Sequence, residues 1–308
     1  MKTTHNNALW LAALFAALCL AAPALFAAEA EQQPLVSVTR EGIRFSESVL
    51  PHDGGLLISN FGSETMRPGS DERRGFILYR KDGKSRTLVA ADRGLRQPTG
   101  MAVKDGRLFV CDAERLVVFN LERPEDAPQV VAFAPDDEVL NALALNGDTL
   151  YVSVTGTDRI YALDVSAPAH MDKVRPQLWL TLPGPNGMAL GKQGKGVLYV
   201  VSSPHDYAHP TADNVIYRVA DLDAPRAEKL PGGTPGVYDG AALSDDGGTL
   251  YVSEWHSASV KAVDIATGNT RIIYEEPGIG PADIAQEKGT LYIPDLVGHR
   301  VIALRLGE

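Results

Sequence analysis

Apolar residues along this chain recur in short runs, and six of those runs share one pattern. They are Leu56-Leu57-Ile58-Ser59-Asn60, Leu108-Phe109-Val110-Cys111-Asp112, Leu150-Tyr151-Val152-Ser153-Val154, Leu198-Tyr199-Val200-Val201-Ser202, Leu250-Tyr251-Val252-Ser253-Glu254 and Leu291-Tyr292-Ile293-Pro294-Asp295. Each is a strand-forming stretch of branched and aromatic side chains, and past the N-terminal segment no helical periodicity holds over three turns. The runs start about 41 to 52 residues apart, the period of a four-stranded propeller blade rather than a helical solenoid.

Each run is preceded by a shorter apolar strand and a turn of Gly, Asp or Asn, as at Lys104-Asp105-Gly106 and Asn146-Gly147-Asp148. Third strands follow at Gly75–Tyr79, Leu116–Asn120, Arg159–Leu163, Val215–Val219, Ser259–Val263 and Arg300–Leu304. Outer strands are legible at Thr87–Ala90, Gln129–Phe133, Gln177–Leu182 and Thr270–Tyr274. The last copy has no fourth strand, while Leu35–Thr39 is a strand with no blade of its own. The pattern predicts an all-β fold, a six-bladed β-propeller whose ring is closed by this N-terminal strand.

Registering the first strands stacks one polar residue per copy: Glu47, Thr99, Asn141, Asn186 and Asp239, with Ala282 in the sixth. Innermost propeller strands converge on the axis, so these side chains should meet near one mouth of the channel. Two carboxylates and two carboxamides without His or Cys suit a hard divalent cation, Ca²⁺ above all. The alternative is that they hydrogen-bond one another and channel water.

The first thirty residues stand apart. Lys2 precedes an apolar run from Ala8 to Ala28, and Ala28-Glu29-Ala30 offers a cleavage site, so 1–30 reads as a secretory signal peptide and 31–308 as one domain. An uncleaved anchor is the alternative, since the run approaches spanning length. A cleaved protein would be periplasmic or secreted. Of two cysteines only Cys111 would survive, which rules out an internal disulfide. The formal net charge of -10 contains no basic stripe, which argues against nucleic acid and, once the signal is cleaved, against a membrane surface as partners.

Pro185-Asn186-Gly187-Met188-Ala189 before Leu198-Tyr199-Val200, and Asp239-Gly240 before Leu250-Tyr251-Val252, resemble the SMP-30/gluconolactonase/LRE-like family over essentially the whole mature chain. The resemblance implies that Glu47, Asn141, Asn186 and Asp239 hold one divalent ion, with Ca²⁺ expected and Zn²⁺ or Mn²⁺ as alternatives. The chain also departs from that pattern. Glu47-Ser48-Val49 replaces Glu-Gly-Pro, Val139 stands at the substrate-binding Arg, and Ala142 stands at the Asp after the first Asn. Pro281-Ala282-Asp283-Ile284-Ala285 with Asp295, His299 and Arg300 resembles an NHL repeat instead, a propeller unit often used for binding.

Loops after the second strands should open on the face of the column. The longest, Phe61–Arg74 and Ser203–Asn214, carry Arg67, Arg73 and Arg74 in one case and His205, Asp206, Tyr207 and His209 in the other. Trp255, His256 and His299 are similarly placed, so Thr99, His205, His209, Trp255 and His256 are candidates for the mouth. No Gly-x-Ser-x-Gly, Walker-type or dinucleotide motif occurs. The expectation is an exported metal-dependent hydrolase of a lactone or related ester acting on a small molecule, with Asp239 orienting or deprotonating water. The alternative is a non-catalytic NHL-like propeller that binds a peptide, glycan or partner protein. A lyase would need paired His around the metal.

Overall fold

The computed structural model describes residues 36–65, 72–191 and 196–307. The expected signal peptide at 1–30 lies outside them, as does Arg67. Among the described residues there are six four-stranded antiparallel sheets and no α-helix. The innermost strands of consecutive sheets touch in chain order, and that of blade 6 returns to that of blade 1, so the sheets form a six-bladed ring.

Five blades use four successive strands, as in Ser46–His52, Gly55–Asn60, Phe76–Lys81 and Lys84–Val89 of blade 1. In the sixth, Val36–Thr39 pairs antiparallel with Arg300–Arg305, placing Val36 opposite Leu304 and Thr39 opposite Val301. The N-terminal strand thus closes the ring, and no blade is left with a missing outer strand to present an open ladder.

The unusual apolarity of each second strand follows from blade packing. Successive side chains point to opposite faces of a sheet, and here both faces are covered by neighbouring blades. Leu150 and Val152 pack with Phe109 and Cys111 of blade 2, whereas Tyr151 packs with Leu198 and Val200 of blade 4. Tyr199 and Val201 likewise join Leu250 and Val252, and Tyr251 joins Leu291 and Ile293. Leu57 meets Leu108 and Val110, and Tyr292 closes the circle against Leu56 and Ile58. The Leu and Val positions face the preceding blade, and the position between them faces the next.

Two elements differ from the sequence pattern. Blade 4 has an outer strand, Ala227–Lys229, paired with Ile216–Val219, which no apolar alternation announces. In blade 6 the stretch Asp283–Ala285, which stands in the sequence where the other blades have their first strand, is not the innermost ladder strand; Ala285–Glu287 is. The reason is that Asp283 forms a parallel bridge with Ser48 and donates its N–H to the Glu47 carbonyl at 2.9 Å, tying blade 6 to blade 1 instead of to its own sheet.

Candidate functional site

Every column residue in blades 1 to 5 occupies the same local defect. Pairing between first and second strands slips by one residue between Ser46 and Val49, Pro98 and Met101, Leu140 and Leu143, Pro185 and Met188, and Tyr238 and Ala241. The first unpaired residue in each gap is Glu47, Thr99, Asn141, Asn186 or Asp239. A β-bulge re-aims a side chain away from the sheet normal, which here aims it from the blade toward the axis.

In blades 1, 3 and 5 the bulge is braced by the serine at the fourth position of the second-strand pattern. Ser153 Oγ accepts the Ala142 N–H at 2.9 Å and donates to the Asn186 carbonyl at 2.8 Å. Ser253 Oγ accepts the Gly240 N–H at 2.7 Å and donates to the Ala282 carbonyl at 2.8 Å. Ser59 receives the Ser48 N–H at 2.8 Å. The second bulge residue must be small, because a Cβ at Gly187 or Gly240 would run into the backbone of the next blade. At the seam between blades 6 and 1 there is room for side chains, and Ser48 donates to Asp283 Oδ2 at 2.8 Å.

The column opens on a cavity of about 750 Å³, within the range of small-molecule sites. Glu47, Thr99, Asn141 and Asp239 form its floor, while Asn186 is buried beside Asp239. Phe61, Val139, Leu140, Tyr207, Val237, Trp255 and Leu296 make an apolar collar, and Arg96, Gln97, Glu114, Glu138 and Asp206 make the rim. Ser203, 1 % exposed, also lines the wall with a hydroxyl that has no partner.

The electrostatics of the floor are severe. Burial pushes Glu47 well above the ordinary carboxylate range, reinforced by the Asp239 and Asp283 charges. Burial and then the Asp283 charge push Asp239 up to about 8, partly offset by the Asn186 carboxamide. Burial raises Asp283 to about 7, with the Ser48 hydroxyl pulling the other way. Asp283 was not among the column residues expected from sequence. It stands one position after Ala282, where the other blades carry Ser48, Gly100, Ala142, Gly187 and Gly240.

Oxygens without hydrogen-bond partners occur on all four residues of the expected donor set: Glu47 Oε2, Asn141 Oδ1, Asn186 Oδ1 and Asp239 Oδ1. Buried polar atoms are ordinarily satisfied, so four orphans in one column fit a cation better than a self-contained hydrogen-bond network. Among the described residues no three His, Cys, Asp or Glu side chains gather tightly enough to hold an ion by themselves. A cation here would therefore need the carboxamide oxygens, as Ca²⁺ readily accepts.

The other candidates are distributed as follows. Thr99 and Trp255 line the cavity, with Thr99 Oγ1 donating to the Leu140 carbonyl at 2.9 Å. His205, His209 and His256 are not among the lining residues. His205 Nε2 lies 2.7 Å from Asp158 Oδ1, and His209 Nδ1 lies 2.7 Å from Asp206 Oδ2. His256 is exposed. His299 accepts the Phe45 N–H at 3.0 Å and packs edge-on against that ring. Arg74 pairs with Glu64 at 3.2 Å. Cys111 is fully buried, and burial followed by the Glu47 charge raises its thiol well above the usual range, so it is unsuited to act as a nucleophile.

Tyr207 is the larger surprise. Its backbone sits in the left-handed region at φ 52, and its hydroxyl comes within reach of Thr155 and Asn141 and feels the charges of Asp239 and Glu47. Burial of that end raises its pKa, so the phenol stays protonated. An aromatic beside two loop histidines was the only signal available in sequence.

No family profile matches the chain, and no curated protein matches it in sequence. Solved structures do match. A gluconolactonase from Xanthomonas campestris superposes with a TM-score of 0.64 at 17% identity, covering 89% of this chain and 90% of that one. A virginiamycin B lyase from Staphylococcus aureus gives 0.57 at 12% identity, over 89% of this chain and 100% of that one. A chain of a nidogen/laminin complex gives 0.60 at 15% identity, over 88% and 90%. At these identities the likeness is one of fold.

Proposed function

We propose that the protein is an exported, periplasmic or secreted, metal-dependent hydrolase that opens a lactone or related ester. The observation that carries this reading is the set of orphan oxygens on Glu47, Asn141, Asn186 and Asp239 at the floor of one cavity. These four residues would hold the cation, Ca²⁺ first, with Zn²⁺ or Mn²⁺ as alternatives. A divalent ion held there would supply Lewis acidity toward a carbonyl and lower the pKa of water.

The chain's own groups divide the remaining work. Asp239 faces the cavity and, as a carboxylate beside the cation, would orient water and take its proton. Tyr207 retains its proton and can donate to a substrate oxygen. The apolar collar limits water to the floor, where charge interactions then count for more. The gluconolactonase among the similar folds supports the reaction class by analogy only.

The test is hydrolysis of a lactone and ester panel by chelated protein and after addition of Ca²⁺, Mn²⁺ or Zn²⁺, alongside elemental analysis. Activity should require metal and drop sharply in Asp239→Ala; equal turnover by that variant would remove the mechanism. A second reading, a non-catalytic propeller that binds a peptide, glycan or partner protein, draws on Val139 and Ala142, which lack the family's polar side chains, and on the likeness to a nidogen/laminin chain. Such a scaffold would keep its partner after chelation and hydrolyse nothing.

A further inference from the structure

Among the described residues five carboxylates line the cavity (Glu47, Glu114, Glu138, Asp206 and Asp239) against a single guanidinium, Arg96. That guanidinium is already committed, with Nη1 at 2.7 Å from each Glu114 oxygen. One divalent ion at the floor offsets at most two of the remaining charges, leaving at the entrance Glu138 and Asp206, the latter with His209 Nδ1 at 2.7 Å. Between floor and rim the wall is mainly apolar: Phe61, Val139, Trp255 and Leu296 carry no charge, and the Ser203 and Tyr207 hydroxyls are the polar points among them.

We infer that the ligand of this cavity is an uncharged lactone or ester bearing an alkyl or aryl group, rather than a polyhydroxylated lactone or an anion. This deepens the hydrolase reading and rests on it. A sugar lactone would lose more hydrogen bonds to water along the collar than the Ser203 and Tyr207 hydroxyls can replace. An anion would meet the rim carboxylates before it reached the floor. An alkyl or aryl group gains by burial against Phe61, Trp255 and Leu296 while its carbonyl reaches the level of Asp239.

The charge distribution also gives the reaction a direction. Water adds its oxygen to the acyl carbon, the acyl–alkoxy bond breaks, and one water proton ends on the alkoxide oxygen. The second proton leaves as the new carboxylic acid ionises. A neutral lactone has become a hydroxy-carboxylate, and a neutral ester a carboxylate and a free alcohol, inside an acidic cavity where Glu138 and Asp206 favour departure of the anion.

The experiment uses the full chain loaded with Ca²⁺ and two parallel series. Hydrolysis is followed for γ-lactones of increasing side-chain length, for glucono-δ-lactone, and for neutral and carboxylate-bearing esters of matched size. Binding is followed by quenching of Trp255 fluorescence with the corresponding alkyl γ-lactams, which are not hydrolysed, and with a polyhydroxylated lactam. Trp255→Phe identifies the responding indole. Each added methylene should raise kcat/KM about threefold to fourfold until the collar is filled. The anionic ester should be at least about tenfold poorer than its neutral match, and Glu138→Gln should narrow that gap.

Preference for glucono-δ-lactone, or equal use of the anionic ester, overturns the inference. If nothing is hydrolysed while alkyl lactams bind and the polyhydroxylated lactam does not, the ligand class stands and the hydrolase reading falls. If no lactam binds, the inference falls whatever the hydrolysis assay shows.

Discussion

Ser48 Oγ donates to Asp283 Oδ2 at 2.8 Å across the seam where blade 6 meets blade 1. Beside it the Asp283 N–H donates to the Glu47 carbonyl, so a carboxylate is fixed next to the axis by backbone as well as side chain. Asp283→Asn keeps an oxygen for Ser48 and removes one charge from a cluster in which Glu47 and Asp239 both feel it. The variant should unfold at higher temperature than wild type in chelator, and should bind Ca²⁺ about tenfold more weakly through lost long-range attraction. Calorimetric titration and thermal unfolding check the pair of effects. A variant that loses stability in chelator would show that Asp283 is needed for the seam and not held there against its own charge.

Protons and a cation should compete for the floor. Glu47, Asp239 and Asp283 all have raised pKa values in the folded chain, Asp239 at about 8 and Asp283 at about 7. Folding without a cation therefore takes up protons, and where the unfolded chain binds fewer protons, stability falls as pH rises. The loss should begin at about pH 4, where unfolded carboxylates ionise, and continue through about pH 7 and about pH 8, where Asp283 and Asp239 give up their protons in the folded chain. Saturating Ca²⁺ should restore stability most at the alkaline end and release protons as it binds. A melting temperature in chelator that is flat across this range would contradict the clustered charges.

The orphan atoms invite a separation of stability from binding. Asn186 is 1 % exposed, its Oδ1 has no partner, and its Nδ2 lies beside Asp239 without a well-formed hydrogen bond. Replacing it with Leu, of similar size, removes both groups and should stabilise the chelated protein by about 1–3 kcal/mol. The same change deletes one donor, so Ca²⁺ affinity should fall by at least about a hundredfold. Chemical denaturation with and without Ca²⁺ resolves the two. If Asn186→Leu destabilises the chelated protein, the residue is satisfied in some way that four orphan oxygens do not suggest.

Gly240 tests the ring geometry alone. A Cβ there would press on the Ile284 N–H and lie 2.7 Å from the Ala282 carbonyl oxygen, both backbone atoms of the next blade. Gly240→Ala should cost about 1–3 kcal/mol or more, because the neighbouring strand has no side chain to move aside. Gly106, whose added Cβ would meet nothing, is the matched turn position, although its φ of 70 makes alanine unfavourable there as well. Urea denaturation compares them. A tolerant Gly240 would mean that the inner strands are not in contact.

The ring was legible because its signals repeat. A bulge at one phase in five blades leaves five side chains at one phase in the sequence, and the Leu-Tyr-Val pattern survives because both faces of the strand are buried. What was lost depends on contacts between distant segments. Asp283 is hidden in the sequence because Ala282 holds the column phase, and only its bond to Glu47 brings the carboxylate to the axis. Nothing near His205 in sequence announces Asp158, which occupies its imidazole. The strand Ala227–Lys229 exists through backbone pairing with Ile216–Val219 and has little apolar pattern to read.

Tyr207 gives the sharpest test of how the floor and the loop above it cooperate. The loop is pinned at its start by His205 on Asp158 at 2.7 Å and at its end by Asn214 Nδ2 donating to Ser202 Oγ at 3.1 Å. Between them Asp206 accepts the N–H groups of Ala208 and His209, each at 2.9 Å, and the Tyr207 N–H donates to the Pro204 carbonyl at 2.9 Å. This tight turn holds Tyr207 at φ 52 and directs its hydroxyl to the floor, while 39 % of the residue stays exposed to the mouth. Tyr207→Phe preserves ring, turn and collar and removes only the donor. Stability and Ca²⁺ affinity should stay close to wild type, whereas kcat should fall about tenfold to a hundredfold with KM nearly unchanged, as expected of a donor used mainly in the transition state. An increase in KM at constant kcat would assign the hydroxyl to ground-state binding, and no change in either would leave Tyr207 as a wall of the cavity with Asp239 the sole proton-handling group.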